Sequence, residues 1–279
     1  MMIEFMGVEY ARGATATIRN DGPAMAPRAV QQMFPDTDWI MIAADNVSPT
    51  VAAQDRFGDA FNIHKRVYAA TPRGRHIMIG GDHSVNFGHF AAIRDGFPDE
   101  DLCLVYIDAH LDIHTPESSR LQASGAPHGT NVRALLGDGD ERWLGLIKNK
   151  PALKPQNLFY IGTRAFEPAE IEFARAQNIH IRSASELQNE SDWTDTVREI
   201  RRKIGTRPFV ISFDFDVIDP TVFRDVWVPE PNGISLDAAK YFVSEFSDAD
   251  GFEFVEYAPS GDEKSAQIVH DLISMVAND

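Results

Sequence analysis

The sequence predicts an α/β protein in which helices cover both faces of a mostly parallel central sheet, a three-layer α/β/α arrangement. Short runs rich in β-branched and aromatic residues recur along the 279 residues, and longer segments with helical spacing separate them. Most of the short runs are continuously apolar, which is typical of strands buried on both faces. Strands that alternate with helices in this way favour parallel pairing.

These runs predict seven strands. They lie at residues 38–44, 75–81, 102–108, 157–163, 178–183, 208–214 and 252–258. The segments 49–71 and 194–205 have the apolar spacing and the charge of surface helices. No repeat, low-complexity tract or long linker interrupts the chain, so we expect residues 1–279 to form a single domain.

Composition argues against several classes of partner. The formal net charge of −16 is unsuited to nucleic acid or to an anionic membrane, since both attract basic surfaces. Cys103 is the only cysteine, so neither an internal disulfide nor a thiolate zinc site is expected. The first residues lack the pattern of a signal peptide, and no run approaches the roughly 20 apolar residues of a membrane span. We therefore expect a cytoplasmic enzyme or binding protein.

Titratable side chains cluster where four of the predicted strands end. In chain order they are His83, then Asp108, His110 and Asp112, then Asp214 and Asp216, and finally Glu256. The carboxyl ends of parallel strands meet at one edge of a sheet, and ligands bind beyond that edge. The sequence therefore predicts one functional site to which four strands contribute.

The spacing of these residues indicates a metal site. Alternate residues of an extended segment point the same way, so the patterns at 108–112 and 214–216 can each present their acids to one ion. An Asp after a strand is also a common helix cap or turn residue, which is the alternative for Asp82 and Asp219. Oxygen ligands with imidazole and no sulfur suit Mn²⁺. Four aspartates with two histidines exceed the needs of one ion, which favours a two-metal site and metal-assisted hydrolysis.

The charge of such a site indicates its substrate. Four carboxylates and a hydroxide against two divalent cations leave a surplus negative charge, to which Glu256 adds. A planar cation with several N–H donors, such as guanidinium, fits this environment, whereas a phosphate ester would be repelled.

The same residues resemble a known family. The blocks GGDHS (80–84), DAHLD (108–112), HGT (128–130), SFDFDVIDP (212–220) and VEYAP (255–259) are similar to those of the ureohydrolases, which include arginase, agmatinase, guanidino-acid hydrolases and formimidoylglutamase. Residues 8–30 loosely resemble the family's opening segment. The resemblance implies a three-layer α/β/α fold, two manganese ions in each subunit, and a trimer or hexamer.

The resemblance also implies roles for individual residues. One manganese would be held by His83, Asp108, Asp112 and Asp214, and the other by His110, Asp108, Asp214 and Asp216. Asp216 would also handle the proton of the hydroxide, His128 would shuttle protons, and Glu256 would bind the guanidinium.

The far end of the substrate is predicted from two further segments. Residues 112–129 resemble the arginase loop that receives an amino-acid head group, in which Ser124 would contact a carboxylate and His114 replaces the usual asparagine. Residues 161–170 resemble the arginase segment whose acids bind the α-ammonium, which makes Glu167 and Glu170 the counterparts. Glu170 also opens a predicted helix, where an acid is common for other reasons.

Several alternatives stay open at this stage. An arginine-like substrate is the first choice, but HGT and VEYAP are more similar to agmatinases and guanidino-acid hydrolases. Val228 also stands where arginases usually carry a threonine. Agmatine, guanidinobutyrate and formiminoglutamate are therefore possible substrates. A non-catalytic binding protein on the same fold is the alternative from another class, since fold does not imply function.

Overall fold

The structure is a computed structural model that describes residues 3–14, 21–121 and 124–278. Part of the opening segment 8–30 therefore lies outside the described residues. The described strands are β1 Glu4–Glu9, β2 Trp39–Ala43, β3 His76–Ile79, β4 Cys103–Ile107, β5 Leu158–Thr163, β6 His180–Ser183, β7 Phe209–Asp214 and β8 Gly251–Val255. The helices are α1 Ala26–Met33, α2 Pro49–Gln54, α3 Arg56–Ala70, α4 Asn86–Gly96, α5 Pro127–Leu135, α6 Glu141–Leu146, α7 Pro168–Ala176, α8 Glu190–Ile204, α9 Leu236–Glu245 and α10 Glu263–Ala277.

The eight strands form one parallel sheet in the order β2-β1-β3-β8-β7-β4-β5-β6. Each of the seven predicted strands is present, with small differences at its ends. The first strand, β1, was not predicted, and it lies inside the sheet between β2 and β3. Its central Gly7 interrupts the apolar pattern, and a Cβ atom at this position would lie 2.6 Å from Met41 Sδ and 2.9 Å from Pro27 Cβ.

Helices cover both faces of the sheet. The core on one face is formed with α1, α8, α9 and α10, and the core on the other with α3, α4, α5, α6 and α7. Successive residues of β4 alternate between them: Val105 packs in the first core, whereas Leu104 and Tyr106 pack in the second. Burial on both faces explains why these strands read as continuous apolar runs.

The predicted helical segment 49–71 is divided into two helices. Asp55 ends α2 and accepts a hydrogen bond from the backbone N–H of Gly58, which caps the start of α3. The predicted segment 194–205 is the larger part of α8. Among the described residues, no helix combines the length and the apolar character needed to cross a bilayer.

Because all the strands run the same way, their carboxyl ends lie at one edge. The loops after β3, β4, β7 and β8 meet there, and these loops carry the predicted site residues. The sheet order places β3, β8, β7 and β4 side by side, although residues 76 and 255 are far apart in the sequence. The topology therefore builds one site from distant segments.

Candidate active site

One pocket at this edge brings the predicted residues together. Its lining includes all the predicted site residues except Asp108: His83, His110, Asp112, His114, Ser124, His128, Glu167, Glu170, Asp214, Asp216 and Glu256. Asp108 is fully buried between His83 and His110. Asp219, by contrast, accepts from the backbone N–H of Thr221 and holds a turn outside this lining.

The first group of potential metal ligands surrounds His83, which follows β3. Its Nδ1 atom lies 2.9 Å from Asp108 Oδ2, 3.1 Å from Asp214 Oδ2 and 3.5 Å from Asp112 Oδ2. One ring nitrogen carries at most one proton, so it cannot satisfy three carboxylates. On the far side of the ring, Nε2 lies 2.8 Å from Ser212 Oγ, a contact that can hold the Nε2 proton and leave Nδ1 as a ligand.

The second group surrounds His110, which follows β4. Its Nδ1 atom lies 2.9 Å from Asp216 Oδ2 and 3.5 Å from Asp108 Oδ1. Its Nε2 atom lies 3.7 Å from a carboxylate oxygen of Glu230. Within the described residues, His83, Asp108 and Asp112 form one set whose ligand atoms could hold a metal ion, and Asp108, His110 and Asp216 form another. Asp108 belongs to both sets.

The electrostatics of these groups fit bound cations. Burial and then the charge of Asp108 raise the pKa of Asp112 to about 7. Burial and then the neighbouring carboxylates also raise the pKa of Asp214 well above its usual range. Asp108 Oδ2 is buried and, although it lies 2.9 Å from His83 Nδ1, it makes no hydrogen bond within the described residues. The described lining of the pocket includes no Lys or Arg, so its basic side chains are histidines alone. Divalent cations would remove this mutual repulsion.

Glu256 follows β8 and faces the same pocket. Its backbone has φ +63°, a left-handed conformation that is uncommon for residues other than glycine, and the N–H of this residue donates to Gly81 O at 2.9 Å. Its carboxylate accepts from the backbone N–H of His83 at 2.8 Å. Asp112 has a similar conformation with φ +50°. Strained backbone of this kind clusters at functional sites because the surrounding contacts hold the side chain in place.

His128 lies in the first turn of α5 and contacts the segment that follows β1. Its Nδ1 atom lies 3.0 Å from Gly13 O, and its backbone N–H donates to the same oxygen at 3.3 Å. The Nδ1 proton is therefore held, which leaves Nε2 as the free acceptor. Burial lowers the pKa of His128 to about 4, so the ring is neutral at pH 7. Asp82 fixes the position of Gly13, since its carboxylate accepts the N–H groups of Gly13 and Ala14 at 2.6 and 2.9 Å.

The four residues predicted to bind the substrate's far end all line the pocket, and three of them, His114, Glu167 and Glu170, lie together. His114 Nε2 lies 3.2 Å from a carboxylate oxygen of Glu167 and 3.2 Å from one of Glu170. Glu167 and Glu170 also form a capping box at the start of α7, so the alternative explanation for Glu170 is correct as far as the helix is concerned. His114 contacts the two acids that the sequence assigned to an ammonium group.

Three residues that support the site were not predicted from the sequence. The Tyr106 hydroxyl donates to Asp112 Oδ2 at 2.8 Å, and the Tyr106 ring stacks on the His83 ring with centroids 4.4 Å apart. Ser212 contacts His83, and Glu230 contacts His110, as described above. Tyr106 and Ser212 lie inside apolar strands, two residues before Asp108 and Asp214. That two-residue spacing is the one sequence signal that could have indicated them.

Comparison with known proteins identifies the family. The family model described as "Arginase family" matches residues 3–277. The chain belongs to the arginase family. The resemblance noted in the sequence is therefore confirmed.

Relatives within the arginase family include the arginase of Eremothecium gossypii, 30% identical over 214 residues, which are 75% of this chain. The arginase of Entamoeba histolytica is 30% identical over 193 residues, 67% of this chain. The matched regions span 52% and 63% of these relatives' own lengths.

Solved structures of other proteins share the fold. Arginase from Bacillus subtilis superposes with a TM-score of 0.84 at 21% identity and covers 100% of this chain and 99% of its own. Formimidoylglutamase from Bacillus subtilis superposes with a TM-score of 0.74 at 19% identity and covers 99% of this chain and 85% of its own. These likenesses confirm the predicted α/β/α fold.

Proposed function

We propose that this protein is a two-metal hydrolase that cleaves a C–N bond of a small guanidino compound and releases urea and an amine. The observation that carries the proposal is the convergence in one pocket of two His/Asp groups that share Asp108, with the buried carboxylate of Glu256 beside them. Membership of the arginase family supports the same class of reaction.

Manganese is the metal we propose, two ions per chain. His83, Asp108, Asp112 and Asp214 would hold one ion, and His110, Asp108, Asp214 and Asp216 the other. The carboxylate-rich ligand set with imidazole and no sulfur supports this choice. When bound, such a pair of ions makes water a nucleophile at neutral pH and stabilises developing negative charge.

The protein's own groups orient the substrate and move protons. Glu256 presents a buried carboxylate to the cationic guanidinium, whose paired N–H donors match it. Asp216 and His128 line the same pocket and are the groups we assign to proton transfer. The neutral His128 ring, held through Nδ1, can accept a proton at Nε2 and pass it to the departing amine.

The test is hydrolysis by manganese-loaded protein. Urea release from L-arginine, agmatine and guanidino acids, and formamide release from formimino compounds, would be measured beside the metal content. We expect close to two manganese ions per chain and urea from at least one guanidino compound. Asp108→Asn should lose both, because Asp108 belongs to both ligand groups.

Two results would overturn the proposal. Full activity with a single zinc ion would exclude the two-manganese site, and no urea from a chain that holds two manganese ions would exclude guanidino hydrolysis. A single domain over residues 1–279, a cytoplasmic location, and a trimer or hexamer stay predictions.

A further inference from the structure

The carboxylate of Glu167 already has protein donors on both oxygens. Oε1 accepts from the Ser119 hydroxyl at 2.7 Å, and Oε2 accepts from the backbone N–H of Arg120 at 2.9 Å. Through these bonds Glu167 ties the loop that follows β4 to the start of α7. Glu167 therefore has a structural role in the protein before any substrate binds.

Glu170 also accepts hydrogen bonds from the protein on both carboxylate oxygens. Its Oε1 accepts from the backbone N–H of Ile113 at 3.3 Å, and its Oε2 accepts from the backbone N–H of Glu167 at 2.9 Å. The residue is 6% exposed. Each of the four carboxylate oxygens of the two acids therefore has a donor from the protein.

The imidazole of His114 lies against both acids. It is 1% exposed, and its Nε2 atom lies 3.2 Å from each carboxylate. Two further contacts fix the residue: Nδ1 lies 2.8 Å from Ser118 Oγ, and its backbone N–H donates to Gly129 O at 3.0 Å. The Nε2 atom of the ring thus lies at a point where a positively charged donor would meet both acids.

The outer lining of the pocket is apolar. Leu121, Phe166 and Val228 all line it, and they are 60%, 46% and 41% exposed. They are three of the six large apolar side chains that are exposed in the described parts of the chain, the others being Met25, Ile40 and Val51. The tail of a substrate can therefore make alkyl contacts here, whereas the carboxylates of Glu167 and Glu170 already accept hydrogen bonds from the protein.

We infer that His114 is a specificity-determining residue that excludes an ammonium group from the tail end of the pocket, so that the preferred substrates are guanidino compounds whose tail carries no ammonium. This inference rests on the proposed function. A buried ammonium needs acceptor oxygens, and here it would have to displace an imidazole that is held through Nδ1 and lies against both acids through Nε2. The arginine-like tail expected from the sequence is replaced by an ammonium-free one.

Matched pairs of substrates isolate the ammonium group. L-arginine and 5-guanidinopentanoate differ only in the α-ammonium, and agmatine and butylguanidine differ only in the terminal ammonium. For the manganese-loaded wild type we expect kcat/KM to be at least about tenfold higher for the ammonium-free member of each pair. A site built to bond the ammonium would show the opposite order, by factors up to about 10⁴.

Variants show whether His114 is responsible. His114→Asn should free the acids and shift the ratio within each pair at least about tenfold towards the ammonium-bearing member. Glu167→Gln should lower both members of a pair by the same factor, because its role is to hold the loop and the helix. Glu172→Gln, an exposed acid on the same helix, is the matched control and should change neither value.

Binding gives a second readout that needs no turnover. Calorimetry would compare L-ornithine with 5-aminopentanoate, which differ only in the α-ammonium, on manganese-loaded wild type and His114→Asn. We expect the variant to bind ornithine at least about tenfold more tightly than wild type does, with 5-aminopentanoate unchanged. His114→Gln replaces His114→Asn if the thermal unfolding midpoint shows that the latter is not folded.

The two proposals fail in different ways. If the wild type prefers arginine and agmatine, or if Glu167→Gln harms only the ammonium-bearing members, the inference about His114 is wrong while guanidino hydrolysis stands. If no guanidino compound of the full panel yields urea from protein that holds two manganese ions, the proposed function is wrong, and the calorimetric comparison still decides whether His114 excludes an ammonium.

Discussion

Replacing Glu256 by Gln would remove one negative charge from the pocket and change little else. The side chain is 7% exposed, and its carboxylate accepts from the backbone N–H of His83 at 2.8 Å. The amide oxygen of Gln can accept the same bond, and Gln has the size of Glu. We therefore expect the variant to fold normally and to keep its metal content.

The size of the effect follows from the burial of the charge. Removing one partner of a buried charge pair typically costs about 2–5 kcal/mol, and about 1.4 kcal/mol is a factor of ten. The carboxylates of Asp216 and Glu230 line the same pocket and would still attract a cation, which places the cost near the lower end. We therefore expect kcat/KM for the best guanidino substrate to fall at least about 30-fold.

The stability of the folded protein should rise or stay unchanged in Glu256→Gln. Burial and then the charge of Asp82 raise the pKa of Glu256 well above its usual range, so the ionised side chain is unfavourable in the free protein. The neutral amide avoids this cost. The thermal unfolding midpoint of Glu256→Gln should therefore equal or exceed that of the wild type.

The assay combines urea release, elemental analysis and thermal unfolding. Glu263→Gln, an exposed acid in the first turn of α10, is the control, and its kcat/KM should stay within about twofold of the wild type. If Glu256→Gln hydrolyses the best substrate as well as the wild type does, Glu256 does not bind the guanidinium. Loss of metal in the variant would instead show that Glu256 supports a ligand.

Three further predictions concern other parts of the chain. His128→Asn should lower kcat by roughly 10²–10⁴, the usual loss for a general acid or base, while elemental analysis still finds both ions. Ser212→Ala removes the contact of 2.8 Å with His83 Nε2 and should weaken manganese binding about 10–100-fold in a metal titration. His64→Leu should make stability less sensitive to acid. Burial lowers the pKa of His64 in the folded chain from 6.5 to about 3, so the unfolded chain takes up this proton first as the pH falls. The free energy of unfolding of the wild type therefore falls by about 1.4 kcal/mol for each unit by which the pH drops between those two values.

Each of these predictions has a result that contradicts it. Near-normal turnover in a folded His128→Asn protein would reduce His128 to a structural residue, and loss of an ion would make it a ligand. Unchanged manganese affinity in Ser212→Ala would mean that the His83 ring is oriented by its other contacts alone. If denaturation of wild type and His64→Leu shows the same dependence on pH, His64 does not titrate in the unfolding reaction.

The sheet could be predicted from the sequence because burial on both faces leaves a local signal. Runs such as 102–108 contain little but apolar residues, and each became a strand. The strand β1 was not predicted because Gly7 interrupts its apolar pattern. The residues that crowd this position come from other parts of the chain and become neighbours only in the folded sheet. The division of 49–71 into α2 and α3 depends on Asp55, whose cap is one hydrogen bond that a spacing pattern does not reveal.

The residues of the candidate site also fall into those that the sequence could indicate and those that it could not. The potential metal ligands and Glu256 could be indicated because strand ends and two-residue spacing place them by geometry alone. The partners of the ligands could not: Glu230 approaches His110 from a loop 120 residues away in the sequence, and nothing near Glu230 signals that contact. The contact of His114 with Glu167 and Glu170 likewise comes from how a loop packs on α7, and the sequence could not distinguish it from a site for an ammonium group.

The carbonyl of Gly13 has a consequence for how this protein can be engineered. It accepts two hydrogen bonds from His128, and the carboxylate of Asp82 accepts the N–H groups of Gly13 and Ala14. The residues that follow the first strand therefore act as a brace for the pocket. Truncating the chain up to residue 14 would remove β1, an inner strand of the sheet, together with this brace, although every predicted ligand and both residues assigned to proton transfer would still be in the sequence. Fusion partners and circular permutants should therefore preserve the connection from Glu4 to Ala14 and place new termini elsewhere on the surface.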